Sequence, residues 1–595
     1  MNTSHSWFRS GCYTLPRHID IPQTGCGRLG VVVVPPFGWE DVCSYRPLRF
    51  LGKALAANGI PVLRFDLPGT GDSSGSALDS GLVEAWIQSV GDAAAELRAS
   101  TGVENVAAVG IGLGAMLAAT AASRGADLQD LVLWGSAAAG RALVRELRVF
   151  SKMFASGESL PPPFPGLEIA GFLISPETQR DLESLDLRAL PRMRGRRIMV
   201  LSRDSLLPDL KLVSVLEALG GAVEVSAGSG YAAMLAAPHD AIPPAATGTV
   251  IVEFLKRDRQ VRASEQAGDP TTKSVLTESA EERTAAIEEA GSLVLETIYT
   301  FGRSPASVFG ILSEPAAEVS SSGLCLLFLN PGSVRHIGPN RMWVEAARRW
   351  AARGVPSLRM DFGGIGESDG QPRRDIAALY QPESLEDIEA AMASLRSRLG
   401  VRRFVVIGLC SGAFWAFHAA IRNPEVRGAI LLNPPFFFWD PEVDRRRILR
   451  RTVNWFTDSK TWGRLARGKI TPQRIRQAGQ ILVETLRDRR APGDRPSQIP
   501  AEAMARSLAA IESNRCRLTL VFTEGEPLLL EMEEEGLLPP EDRSRIRCIR
   551  IANCGHTFRP LWAQQLVHEL IDREFDAVLR ETAPVLKDHS AKIPG

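Results

Sequence analysis

The chain has 595 residues, 45% of them hydrophobic and 23% charged, with 69 Lys plus Arg against 69 Asp plus Glu. That length exceeds one ordinary core and predicts two or more domains. A formal net charge of zero removes any global electrostatic case for nucleic acid or an anionic membrane, and no apolar run reaches transmembrane length.

Residues 1–20 are polar, without a continuous apolar core, and are not expected to act as a secretory signal. The run VVVVPPFG at 31–38 predicts a buried strand entering a turn. Helix periodicity follows at 46–58, and a second strand and glycine turn at 59–75, GIPVLRFDLPGTGDSSG. Another helix is predicted over 82–100, then the strand–turn–helix VAAVGIGLGA at 106–115 and a strand at 130–137. Residues 256–289 are rich in charge, Ser, Thr and Ala and read as a linker, with a short polar helix allowed at 280–290.

The same order then returns. LLFLNPGS at 326–333 matches 31–38, and GVPSLRMDFGGIGESDG at 354–370 matches 59–75. FVVIGLCSGA at 404–413 matches 106–115, and 428–435 matches 130–137. Helices are expected at 340–353 and 385–399. Four matches in register are a duplication, and strands alternating with helices imply mostly parallel sheets covered on both faces. The expected fold class is therefore α/β: two tandem domains, each a mostly parallel doubly wound sheet with a helical cap insert. The expected boundaries are 1–256, a linker at 257–289, 290–582 with its cap at about 436–507, and a disordered tail at 583–595.

Gly408-Leu409-Cys410-Ser411-Gly412, placed between a strand and a helix, is a nucleophile elbow with cysteine at its apex. With the duplicated turns, it makes both halves resemble α/β-hydrolases. The nearest resemblance is to serine-aminopeptidase-like hydrolases, including those associated with exosortase and exopolysaccharide loci. It rests on Asn330-Pro331-Gly332 and Ile337-Gly338-Pro339-Asn340-Arg341. The resemblance implies the chain order nucleophile, acid, histidine. Cys410 is the nucleophile. The acid belongs on the turn after the strand at 518–522, with Glu526 ahead of Glu524. The base is His556, on the loop after the strand at 545–551 and before a final helix at 560–579. The oxyanion hole would use the N–H of Ser411 and one from Gly332 or Ser333. Pro331 has no N–H to give. His336 is a candidate substrate contact.

Cysteine changes the chemistry expected of this fold. A thiol beside a histidine and a helix N-terminus reaches its thiolate near neutral pH. The intermediate would be a thioester, activated toward amines, alcohols and thiols. Fold relatives with a cysteine elbow, such as polyhydroxyalkanoate synthases and some assembly-line thioesterase domains, imply acyltransferase or thioesterase activity on an acyl thioester or ester. A carboxylic-ester hydrolase and a non-catalytic scaffold are the alternatives. The insert after 436 carries Phe437 and Trp439, candidate walls of an acyl pocket, then Trp455, Phe456 and Trp462. It is also basic, from Arg445 to Lys469, and would suit an acidic acyl or peptidyl carrier protein or the phosphates of coenzyme A.

In the first half the apex is Gly112, which cannot form a covalent intermediate, while Asp204 and His239 stand near the acid and base positions. That half is expected to be a structural partner first, a binding domain second and a non-covalent catalyst with His239 as base third. Eight scattered cysteines without CxxC spacing fit reduced thiols and a cytoplasmic setting. No metal or organic cofactor is expected.

Overall fold

The alternation of apolar β-formers with helix-period segments builds two separate sheets. In a computed structural model, the described residues are 2–257, 283–440, 499–539 and 545–582, apart from 24, 155–163, 192, 194, 205, 207, 208, 290, 304, 305, 317–322 and 374. The first sheet runs, in spatial order, Asn2–Ser10, Tyr13–Ile21, Val62–Phe65, Leu29–Val34, Asn105–Ile111, Asp130–Trp134, Arg197–Leu201 and Ala222–Ser226. The first two strands form an antiparallel hairpin, the second is antiparallel to its next neighbour, and the rest are parallel.

The second sheet runs Thr284–Glu289, Ser292–Arg303, Ala306–Pro315, Ser357–Met360, Leu324–Phe328, Arg403–Leu409, Val426–Leu432, Arg517–Thr523 and Ile546–Ile551. Its first three strands form an antiparallel meander and its last six are parallel. Helices cover both faces, so the strands are apolar on both sides. Val32 and Val34 pack with Val90 and Leu97 on one face, while Val31 and Val33 pack with Leu51 and Ile251 on the other. In the second sheet Leu327 joins Ile388 and Leu395, and Leu326 joins Trp343 and Ile571.

One element was not foreseen in the sequence and one expectation needs correction. The polar N-terminus is the hairpin Asn2–Ile21, whose inward side chains include Ser4, Ser6 and Ser10 as well as Phe8. Small polar residues on the buried face hid its period-two pattern. Residues 284–289 are a strand and not a polar helix, and Ala285 and Ile287 are its buried positions. The first cap also mixes classes: the helices Gly140–Phe154 and Pro176–Ser184 flank a small hairpin, Leu167–Ile169 with Phe172–Ile174. Most of the second cap, including Arg445 to Lys469, Trp455, Phe456 and Trp462, lies outside the described residues, as does the tail from 583. The helix Ala501–Ser513 brings the chain back to the sheet.

The two matched glycine turns meet across the seam between the halves, each gripped by the other half. Arg64 pairs with Glu367 at 2.7 Å, and its repeat counterpart Arg359 pairs with Asp72, the counterpart of Glu367. Each arginine also pairs within its own half, Arg64 with Asp20 at 3.3 Å and Arg359 with Glu296 at 2.6 Å. All six side chains are buried. The seam is therefore reciprocal, as in a two-fold dimer folded into one chain.

Candidate active site

The strand Arg403–Leu409 runs into Cys410, which has φ 56° and ψ −120° and opens the helix Ser411–Arg422. A side chain at positive φ is costly unless its surroundings impose it. Here they do. A β-carbon on Gly408 would run into the Gly412 backbone, and one on Gly412 would lie 2.7 Å from the Asn330 carbonyl. The Cys410 N–H donates to Leu432 O at 3.0 Å, tying the apex to the neighbouring strand. The thiol is half-buried.

His556 lies on the loop after Ile546–Ile551, with Asn553 and Phe558 turning the backbone through φ of 59° and 50°. Its Nδ1–H donates to Glu526 Oε1 at 2.9 Å, and the Cys410 thiol is near enough to favour the charged ring. Burial works against the imidazolium, but the neighbouring Cys410 and Glu526 outweigh it and lift the imidazole to about 10. Glu526 is 9% exposed, and its Oε1 also accepts from Thr523 Oγ1 at 3.2 Å. Glu524 is exposed. The structure thus brings Cys410, His556 and Glu526 together and leaves Glu524 aside.

Asn433 was missed by sequence reasoning. It ends the strand Val426–Leu432 with φ 43°. Its Nδ2 donates to His556 O at 2.7 Å and its Oδ1 accepts from Thr523 N at 2.8 Å. One side chain therefore fixes both the base loop and the acid turn. The available signal was its place opposite Gly135 in the repeat; Gly135 also has positive φ, 67°.

The other candidates divide. Ser411 is the first residue of its helix, so its N–H has no helical partner, and Ser333 is half-buried beside it in sequence to Gly332. The Gly332 N–H, however, donates to Ser411 Oγ at 2.9 Å, so Ser411 also anchors this turn. His336 is corrected: it is fully buried, its Nδ1 at 2.8 Å from Asp361 and its Nε2 at 2.7 Å from Asp72, and it meets the other half, not a substrate. Phe437 is also corrected: it is 2% exposed, packs on Phe417 and accepts from His418 through its carbonyl. Trp439 stacks on Tyr380 with centroids 4.6 Å apart, and Tyr380 touches Phe414, one helical turn beyond Cys410. Tyr380, unflagged in the sequence, joins that aromatic wall.

The first half repeats the backbone without the chemistry. Gly112 has φ 55° and ψ −115°, close to Cys410. A β-carbon there would meet Glu40 Oε2 at 3.2 Å and Tyr231 OH at 3.4 Å. Tyr231 follows the strand Ala222–Ser226 as His556 follows its strand, so tyrosine holds the base position. His239 instead pairs with its neighbour Asp240 at 3.3 Å. Asp204 accepts the N–H groups of Gly230, Tyr231 and Ala232, which commits it to the backbone. Burial raises the Glu40 carboxyl above its usual range.

One group among the described residues offers metal-type donors, His5, His18 and Glu367, with ligand atoms within 4.8 Å. Burial holds His5 down at about 4 and His18 well below its usual value. Glu367, though, is already occupied by Arg64 and Arg49. Two guanidiniums oppose a cation there, and the group reads as part of the seam.

Two family models match in tandem: the alpha/beta hydrolase family over residues 31–297 and serine aminopeptidase S33 over 326–520. The chain is a two-domain α/β-hydrolase. Its second domain bears out the resemblance drawn from Asn330–Gly332 and the elbow, and its function is of the general α/β-hydrolase kind. Among similar solved structures, Est1E from Butyrivibrio proteoclasticus is 14% identical, covering 43% of this hydrolase and 98% of Est1E, with a TM-score of 0.30. Dienelactone hydrolase from Anabaena variabilis is 13% identical, with coverages of 47% and 97% and a TM-score of 0.30. The α/β hydrolase GrgF from Penicillium sp. sh18 is 18% identical, with coverages of 48% and 99% and a TM-score of 0.31. No curated protein matches the hydrolase by sequence. No described helix is long and apolar enough to cross a membrane.

Proposed function

We propose that the second domain is an acyltransferase or thioesterase that works through a covalent thioester on Cys410. The observation that carries the reading is the clustering of Cys410, His556 and Glu526, with His556 hydrogen-bonded to Glu526 and the thiol at the positive-φ apex beside the ring. In the proposed reaction, Cys410 Sγ attacks the acyl carbonyl carbon as a thiolate and the carbonyl oxygen becomes an oxyanion. Collapse breaks the bond to the leaving group, which takes the His556 proton. An acceptor amine, alcohol or water then attacks the thioester and gives its proton to His556, restoring the thiol. Glu526 holds the ring with Nε2 toward sulfur and stabilises the imidazolium.

The acyl group would come from a thioester or ester, and a carrier protein or coenzyme A is the partner class that the basic insert suits. The first domain takes no covalent part, since Gly112 has no side chain.

The test is intact mass after incubation with short and medium acyl thioesters, for wild type and Cys410→Ala. An acyl adduct on wild type alone is expected, with iodoacetamide labelling Cys410 near neutral pH. No adduct, no labelling and no turnover would remove the enzyme reading in favour of a scaffold. An added amine then separates the two activities: amide product supports transfer, and free acid alone supports hydrolysis.

A further inference from the structure

Residues 330–341, which carry the oxyanion candidates, connect the strand Leu324–Phe328 to the helix Met342–Ala352. Their own domain holds one end. Asn330 Nδ2 donates to Val334 O and Asp361 Oδ1, both at 2.9 Å, and its Oδ1 accepts from Phe362 N at 2.7 Å. The remainder is held from both domains: the His336 N–H donates to Asp361 within its own, and the longer side chains reach the first domain. Arg335 donates twice to Asp66, at 2.8 and 3.1 Å, with its guanidinium 4.0 Å from the Tyr45 ring centroid. His336 bridges Asp361 and Asp72. Arg341 donates to the carbonyls of Gly71, Ser73 and Gly75. Arg335, His336 and Asp66 are all buried.

Apolar contact alone would dock two domains. A bidentate guanidinium–carboxylate fork adds a fixed orientation, and here the fork sits two residues beyond Ser333. Gly332 has φ 59°, and a β-carbon there would meet nothing within 4 Å, so side-chain crowding does not fix the turn; its local tie is the Gly332 N–H bond to Ser411 Oγ at 2.9 Å. An oxyanion donor works only where the developing charge will be, and a displacement of about 1 Å costs on the order of 10²-fold in rate.

We propose that the first domain completes the active site of the second by fixing the oxyanion turn, with Asp66 and Asp72 as positioning residues acting through Arg335 and His336. This rests on the acyl-transfer reading above. The nucleophile-less domain is then an intramolecular activator, retained for the placement it gives to the turn.

The test compares two reactions of Cys410 in the full-length protein. Acylation by an acyl thioester passes through an oxyanion. Alkylation by iodoacetamide is displacement at a saturated carbon and does not. For Asp66→Asn and Arg335→Lys, single-turnover acylation is expected to fall roughly 10- to 100-fold, with KM and the alkylation rate within about twofold. Asp66→Glu should recover part of the loss. Unchanged acylation in either folded variant overturns the inference. So does an equal loss of both reactions, which would assign the seam to the general stability of the second domain. If Asp66→Asn does not fold, Arg335→Lys decides. A wild type that alkylates but never acylates overturns the acyl-transfer reading itself, and the inference with it.

Discussion

At the scale of single residues, the chemistry depends on what His556 faces. Its imidazole is lifted to about 10 by Cys410 and Glu526, so the basic limb of the acylation profile should fall through about that pH. Glu526→Gln removes one of the two supports. The limb is expected to move toward neutrality, and kcat to fall on the order of 10⁴-fold, as when a triad acid loses its charge; a pH–rate series on both proteins reads this. The first domain makes the converse case. Gly112→Cys in a Cys410→Ala background should show no acyl adduct by mass, because Tyr231 stands in the base position and Glu40 crowds the apex. That Cys410, Glu526 and His556 lie close together was legible because the fold sets the order in which its loops return to one end of the sheet. His336 and Phe437 were misread because partners more than 15 residues away decide whether a side chain faces a cleft or a core. No local pattern carries that information.

At the scale of elements, the elbow is shaped by what its glycines lack. Gly408→Ala and, in the first domain, Gly110→Ala both drive a methyl into helix backbone. Each should cost about 1–3 kcal/mol, the usual range for overpacking, seen as a lower urea midpoint at unchanged slope. Only Gly408→Ala should also slow Cys410 acylation. The parallel strands were legible because burial on both faces makes continuous apolar runs. The two antiparallel additions were not, since Asn2–Ile21 hides serines on its inner face and Thr284–Glu289 sits in a stretch whose composition reads as linker.

At the scale of the whole molecule, the seam makes stability depend on pH. His336 is raised to about 9 in the fold: burial opposes its charge, but Asp72 and Asp361 outweigh it. A group raised on folding contributes fully below its unfolded value, about 6.5, and loses that contribution as the pH climbs through about 9. Denaturation midpoints should therefore decline between those values, and the decline should be absent in His336→Gln. That variant should itself lose about 3–5 kcal/mol, the usual cost of breaking a buried ion pair. The duplication was legible in four matched segments. The seam was not, because Arg64, Glu367, Arg359 and Asp72 look like ordinary strand and turn residues until the two copies face each other.

The reciprocal grip has a consequence for how the molecule comes apart. Among the described residues, Glu367, Asp72 and Arg335 are buried charges whose ion partners lie in the other half. Neither half can open first without taking the partner from a buried guanidinium or carboxylate. The two sheets should therefore melt in a single calorimetric transition. A shortened gene encoding the second half alone would yield no smaller enzyme, only a polypeptide in which Arg335 has lost Asp66 and His336 keeps Asp361 without Asp72.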